Sequence, residues 1–263
     1  MAVESLVQTA AVVLAGGLAT RLRELNLTMT KPMIPVGNRP ILAWITQALS
    51  TATDRVVIFA GTDDTIPAYF ADWPLVHVVS GAPTGTAADA LRAADAVSAV
   101  RYIIANGDTI NDLDYQIVLS AIPETHTKNA TIVLTRSHEV QHPQAFAVDD
   151  EDNVLRSFED GQGGSPPHPN ASWHGASMGV LVLPQPLLLE LAQQTFQSIE
   201  KDLLPALVRA GRLKGYDAGS AMSFDIGTPE RLAELRSNET TFVNLLSSRC
   251  GSPVTHRTVN RQT

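Results

Sequence analysis

Short apolar runs alternate with helix-spaced stretches from the amino terminus onward, and this alternation restricts the chain to few folds. Ala11 to Leu14, Arg55 to Phe59, Val76 to Val79 and Tyr102 to Ala105 are brief and largely aliphatic, which predicts buried strands. Pro40 opens a stretch in which Ile41, Trp44, Ile45 and Leu49 recur at helical spacing, and Ala87 to Val97 is alanine-rich. Both predict helices. This order implies an α/β chain with a Rossmann-like, mostly parallel central sheet and helices on both faces. Ligands of such sheets collect beyond the carboxyl ends of the strands. The turns after Leu14 and after Ala105 are therefore the places to look for chemistry.

The middle of the chain reads differently. Ala130 to Thr135, Ala145 to Val148 and Val154 to Phe158 are strand-like, and Asp149 to Asn153 between the last two is a polar turn. This predicts antiparallel additions to the sheet. Gly161 to Ser172 is rich in Gly, Pro and Ser and reads as a loop. Gly175 to Leu183 returns to strand character, Ser198 caps a helix to about Ala210, and Gly211 stops it. Thr228-Pro229-Glu230 is a helix start with a capping hydroxyl, a first-turn proline and an acid at the positive end. One domain over residues 10–247 is expected, followed by a polar tail, 248–263.

Composition narrows the partners. A formal net charge of −8 argues against a nucleic-acid-binding surface, which needs a basic stripe. No apolar run reaches the roughly 20 residues of a membrane span, and no basic-then-apolar leader opens the chain. A cytoplasmic protein is expected. Cys250, the single cysteine, has no internal disulfide partner. His138 and His142 have the spacing of a helical metal pair, but Pro143 breaks the helix they would need.

Chemistry concentrates in Leu14-Ala15-Gly16-Gly17-Leu18-Ala19-Thr20-Arg21-Leu22 and in Lys31-Pro32-Met33. Glycines after a buried strand let main-chain N–H groups approach a ligand. Thr20 adds a hydroxyl, and Arg21 and Lys31 add cations. Such a loop is equipped to hold a triphosphate. No G-x-x-x-x-G-K-[ST] loop is present, and the spacing does not fit G-x-G-x-x-G, so a dinucleotide-dependent oxidoreductase loses its support.

The run from Leu14 to Met33 resembles the signature of the sugar-1-phosphate nucleotidylyltransferases (nucleotide-sugar pyrophosphorylases). Further similar motifs follow in family order: Pro83 to Leu91 with Gly85-Thr86, then Asn106-Gly107-Asp108, then Ser198 to Asp202, then Asp225 to Glu230. The resemblance implies the nucleotide-diphospho-sugar transferase fold, with a nucleotide-binding part over about 10–112 and a sugar-binding part over about 113–236. It implies Mg²⁺ held by Asp108 and Asp225, in keeping with the preference of that ion for one or two carboxylates plus phosphate oxygens. Arg21, Lys31 and Asp108 become the catalytic residues. Leu14, Ala15, Gly16, Gly17, Thr20, Arg21, Gly85, Thr86, Asn106 and Gly107 become the nucleotide-binding set. The sugar-phosphate set is Ala147, Glu159, Ser177, Gly179 and Lys201.

The implied reaction is an in-line attack of the acceptor phosphate on the α-phosphate of a nucleoside triphosphate, with pyrophosphate leaving. Similarity over Ser198 to Gly215 to the mannose and heptose 1-phosphate guanylyltransferases points to GTP and a manno-configured acceptor. The acceptor side departs from the family. Asp160 stands where relatives carry lysine, Ala147 where they carry glycine, and Ser177-Met178-Gly179 replaces an Asn-containing turn. Ala19 and Ser80 are also atypical. Either another cation, Lys201 or Arg156, takes over, or the chain is a non-catalytic regulatory relative. A cyclitol phosphate or another base also remains open, as does a homodimer.

Overall fold

The computed structural model describes residues 6–17, 29–124, 126–136, 144–159 and 168–250. It opens with β1 (Val7–Leu14), a 3₁₀ turn over Lys31–Met33, the small hairpin β2 (Pro35–Val36) and β3 (Arg39–Pro40), and α1 (Ile41–Ser50). Next come β4 (Arg55–Gly61), α2 (Thr65–Phe70), β5 (Val76–Ser80), α3 (Thr86–Ala94), β6 (Ala99–Asn106), β7 (Thr109–Asn111) and α4 (Tyr115–Ala121). The acceptor half adds β8 (Ala130–Thr135), β9 (Gln144–Val148), β10 (Val154–Glu159), β11 (Trp173–Pro184) and α5 (Gln185–Leu191). A π-helical turn (Ile199–Leu203) leads into α6 (Leu204–Arg209), then β12 (Leu213–Asp217), β13 (Ser223–Asp225), α7 (Pro229–Ser237) and α8 (Glu239–Arg249).

The expected architecture is present. A nine-stranded sheet runs β10-β9-β11-β6-β1-β4-β5, with β8 and β12 branching from β11. The pairs β1–β4, β1–β6 and β4–β5 are parallel, and β6–β11 and β9–β10 are antiparallel. The central strand shows why its sequence is uniformly apolar. Ala11 and Val13 pack into one core, and Ala10 and Val12 into the other, on the opposite face. A strand covered on both sides has no place for polar alternation.

Local signals place most elements. Helix α1 starts directly after Pro40 and buries all but its last residue, so it is an interior helix. The Thr228 hydroxyl accepts from the Arg231 N–H at 3.3 Å, and α7 begins at Pro229. The Ser198 hydroxyl accepts from the Lys201 N–H at 3.0 Å, although the helix it caps starts as a π turn. At its far end, Gly211 takes φ +64, the left-handed stop expected of glycine.

The carboxyl end differs from the expected boundary at residue 247. Helix α8 continues to Arg249, and Cys250 is buried with its Sγ 3.4 Å from the Trp44 carbonyl oxygen. Burial pushes the thiol pKa up to about 11, the mark of an unreactive core cysteine. Among the described residues, no helix is long and apolar enough to cross a membrane.

Candidate active site

Strands β1 and β6 end side by side, with Leu14 paired to Asn106. The Gly107 N–H donates to the Leu14 carbonyl oxygen at 2.9 Å, and the Ala15 N–H donates to Phe59 at 2.8 Å. These bonds lock three strand ends together. Beyond them opens a cavity of about 300 Å³ lined by Leu14, Gly16, Gly17, Lys31, Gly85, Thr86, Asn106, Asp108 and Glu200, among others. Its place follows the rule for parallel sheets: outside the carboxyl ends, where the chain crosses to either side of the central strand.

The cavity exists because of its glycines. A Cβ at Gly16 would lie 2.7 Å from a Phe59 ring carbon and 2.9 Å from the Gly61 Cα. Any side chain there would push the loop out of register with β4. Gly85 has φ +125 and ψ 151, and a Cβ on it would lie 2.3 Å from the Gln197 carbonyl oxygen. The same carbonyl accepts the Ala87 N–H at 3.0 Å. The start of α3 is thus seated directly on the segment that precedes the π turn.

Lys31 enters from the 3₁₀ turn, anchored by buried Pro32. The preceding Thr30 hydroxyl donates to Asp63 Oδ2 at 2.5 Å, tying this turn to the loop after β4. Lys31 Nζ stands 3.6 Å from Asp108 Oδ2, both side chains being mostly buried. Asp225 arrives from a different part of the chain. β13 pairs with β7 so that Asp225 faces Thr109, next to Asp108, and the Ile226 N–H approaches the Asp108 carbonyl oxygen at 3.4 Å. The Asp108 carboxyl is pushed up from its ordinary pKa by burial first and by the negative charge of Asp225 second, with Lys31 opposing both. Neighbouring carboxylates of like charge favour a cation or a proton beside them.

The residues present fit Mg²⁺. Asp108 and Asp225 supply hard oxygen donors, and one or two carboxylates are what this ion takes when phosphates complete its sphere. The described lining also carries Asp89, Asp108 and Glu200 against Lys31 as its one cation. A triphosphate in such a cleft therefore requires more positive charge than these residues provide. Among the described residues, no group of three or more His, Cys, Asp or Glu gathers as a metal site, here or elsewhere.

The structure brings together most of the expected nucleotide set. Leu14, Gly16, Gly17, Gly85, Thr86, Asn106 and Asp108 line one cavity with Lys31. Ala15 is buried just behind it, and Gly107 contributes a strand-end hydrogen bond. Thr20 and Arg21, with Ala19, Asp160, His138 and His142, lie outside the described residues. Ser80 ends β5, exposed, and is not among the residues lining this cavity.

The acceptor set is more scattered. Ser177 and Gly179 sit in an irregular stretch of β11, where the register against β8 shifts. Gly179, at φ +67, lies so close to Asn106 that a Cβ would meet its Nδ2 at 2.8 Å. Both line a narrow slot shared with Asn106 and Glu200. Ala147 is fully buried in β9, facing His174 and Arg156 across its ladders. Glu159 ends β10 opposite Gln144. Lys201 lines a separate open hollow with Gln197, Asp202 and Arg209, while its neighbour Glu200 lines the cavity. The two neighbours thus leave the π turn in different directions, Glu200 toward the cavity and Lys201 toward the hollow. The sequence reading assigned no role to Glu200, Phe59 or Asp89; for Glu200 the usable signal was its place within the quoted Ser198 to Asp202 motif.

The open, mostly parallel α/β sheet with a cleft beyond its strand ends has the architecture of an NTP transferase domain. The chain matches the MobA-like NTP transferase domain over residues 11–167, more than half its length, and belongs to that family. Mannose-1-phosphate guanylyltransferase of Mycobacterium tuberculosis is 28% identical over 235 residues, covering 85% of this chain and 62% of that protein. The mannose-1-phosphate guanylyltransferase catalytic subunit beta of Drosophila pseudoobscura pseudoobscura is 29% identical over 234 residues, covering 84% and 60%. The chain therefore spans about three fifths of the length of these curated relatives. Among solved structures, the inositol-1-phosphate CTP transferase from T. maritima superposes with a TM-score of 0.74 at 17% identity, covering 95% of this chain and 98% of that one. HddC from Yersinia pseudotuberculosis gives 0.67 at 22% identity, covering 86% and 96%. These likenesses establish the shared fold.

Proposed function

We propose that the chain is a sugar-1-phosphate nucleotidylyltransferase that converts a nucleoside triphosphate and a sugar 1-phosphate into a nucleotide sugar and pyrophosphate. The observation that carries this reading is that Lys31 and Asp108 line one glycine-walled cleft while the β7–β13 ladder sets Asp225 beside Asp108, the three coming from distant stretches of chain. Family membership and the guanylyltransferase relatives support it.

Gly16 and Gly17 leave room for phosphate oxygens against the main chain, and Lys31 stabilises negative charge that builds at the α-phosphate. The acceptor phosphate is already ionised at neutral pH, so its oxygen attacks phosphorus without a general base, and the chain's work is positioning and charge stabilisation. Asp108 and Asp225 would hold Mg²⁺, which neutralises phosphate charge and orients the oxygens when bound. Arg21 is proposed to clamp the leaving phosphates. GTP and a manno-configured sugar 1-phosphate are the proposed substrates, on the strength of the relatives' names and the Ser198 to Gly215 similarity. Such substrates fit a cytoplasmic place of action.

A pyrophosphate-release panel of four nucleoside triphosphates against several sugar 1-phosphates tests the reading. Mg²⁺-dependent turnover should be highest with GTP and mannose or manno-heptose 1-phosphate, and should vanish in folded Asp108→Asn and Asp225→Asn variants. Undiminished turnover in both variants would remove the metal assignment.

A further inference from the structure

The connection between β5 and α3, residues 81–85, is gripped from two sides. The Gly81 N–H donates to the Gly61 carbonyl oxygen at 2.7 Å. Buried Asp89, in the first turn of α3, accepts from the Thr84 N–H at 3.1 Å and from the Thr84 hydroxyl at 2.9 Å. Arg92, three residues on, donates to the Ala82 carbonyl oxygen at 3.0 Å and to Asp89 Oδ1 at 3.2 Å. Its guanidinium carbon lies 4.4 Å from the Phe59 ring centroid, and a Cβ on Gly81 would meet its Nη1 at 3.3 Å. Asp89 and Arg92 are thus an i, i+3 pair on one helix face that clamps the loop at Ala82 and Thr84.

The clamp fixes main chain beside the cleft. Phe59, Pro83, Gly85 and Asp89 line the same cavity as Lys31 and Asp108. In the order β6-β1-β4-β5 the loop after β5 stands three strand spacings, about 14 Å, from the turn after β6. A nucleotide with its phosphates beside Lys31 and Asp108, as proposed above, extends its base along the strand ends toward this loop. The wall there is an aromatic ring, a proline and a glycine, apolar surface against which a planar base packs. What the loop offers to the edge of a base is main chain, because its one hydrogen-bonding side chain, Thr84, has given its proton to Asp89.

A main-chain edge separates one base from another only if it does not re-form around the wrong one. Held rigid, it leaves buried groups unpaired when the wrong base enters, and that penalty is the discrimination. We propose that Asp89 and Arg92 are positioning residues for base selection, acting through the main chain of loop 81–85. This rests on the transferase reading above and deepens it. It also explains an acid in a cleft for phosphates, since the charge of Asp89 is met by Arg92.

The test is pyrophosphate release by the full chain with Mg²⁺ and each of GTP, ATP, CTP and UTP, using the sugar 1-phosphate that turns over best. Arg92→Met keeps a stem over Phe59 and removes the donors, and Thr84→Val keeps the shape and removes the hydroxyl. Each should lower the kcat/KM ratio of the best nucleotide to the others about tenfold, the weight of one hydrogen bond to a charged group. The loss should fall on KM for the best nucleotide and leave KM for the acceptor unchanged, and Arg92→Lys should recover part of the ratio. Equal losses with all four nucleotides, or a lower melting temperature with the ratio unchanged, would make the clamp merely structural and overturn the proposal. A rise confined to the acceptor KM would overturn it too, as would a wild type that uses all four bases equally. Absence of pyrophosphate release by the wild type with every nucleotide and sugar 1-phosphate tried would remove the transferase reading, and this proposal with it.

Discussion

Replacing Gly85 by alanine should be among the most damaging single-methyl additions to this protein. The residue has φ +125 and ψ 151, and the new Cβ would lie 2.3 Å from the Gln197 carbonyl oxygen and 2.8 Å from its carbon. Holding a non-glycine residue in such a backbone region costs about 1–3 kcal/mol, and forcing a methyl into a packed seam costs about 1–3 kcal/mol more. The obstacle is main chain, not the end of a flexible side chain, so it cannot swing aside. The two terms sum to about 2–6 kcal/mol, a large share of the ~5–15 kcal/mol typical of a folded domain. With a urea slope of roughly 2–3 kcal/mol per molar, the unfolding midpoint should fall by about 0.7–3 M. Gly211→Ala is the control. Gly211 also has a positive φ, +64, but open space around its Cβ position, so only the backbone term of about 1–2 kcal/mol applies. Equal urea midpoints for the two alanine variants would refute the steric argument.

Three further outcomes follow from the same geometry. Asp108 has a raised pKa, so over the window between its ordinary and its raised value the folded state keeps a proton that the unfolded chain has lost, and stability falls as pH rises. Asp108→Asn should therefore raise the melting temperature at neutral pH in EDTA while abolishing turnover; an unchanged or lower melting temperature would contradict this. Asp63 behaves in the opposite sense. Burial pushes its carboxyl up, but hydrogen bonds from Thr30, Thr65 and Ile66 prevail and hold it below the ordinary value. Its contribution is present above the unfolded carboxylate pKa and lost as pH falls through the lowered one. Thr30→Val should cost about 1 kcal/mol at pH 7 and soften the acid limb of the stability profile, as urea titrations at several pH values would show. At Gly227, an added Cβ would lie 2.6 Å from Asp225 Oδ2, the free end of a side chain. Gly227→Ala should leave the urea midpoint near wild type and raise the Mg²⁺ concentration needed for half-maximal turnover; unchanged Mg²⁺ dependence would show that Asp225 does not hold the ion.

The sheet was legible because its central strands are apolar throughout and its helices carry clear starts: Pro40 before α1, and Thr228 with Pro229 before α7. The glycine-walled cleft was legible for a related reason, since Gly16 and Gly85 stand where no other residue fits. What escaped depends on contacts across the chain. The ladder between β7 and β13 is three residues long, too short to leave a periodic signal, so the residues' own pattern did not pair Asp225 with Asp108 and only the family resemblance did. The choice between Glu200 and Lys201 turns on the rotation of one π-helical turn, which a capping serine does not specify. Helix α8 buries only Phe242 and Leu246 along its length, so its apolar pattern is too sparse to show that it runs on to Cys250.

The β7–β13 ladder also has a consequence for how this protein comes to exist in the cell. The residues proposed to bind nucleotide leave the ribosome early, whereas the second acid of the pair emerges only when β13 has been made. On the proposed reading, a chain ending before β13 would carry the cleft's lining yet lack half of the proposed cation site, which only translation beyond Asp225 would complete.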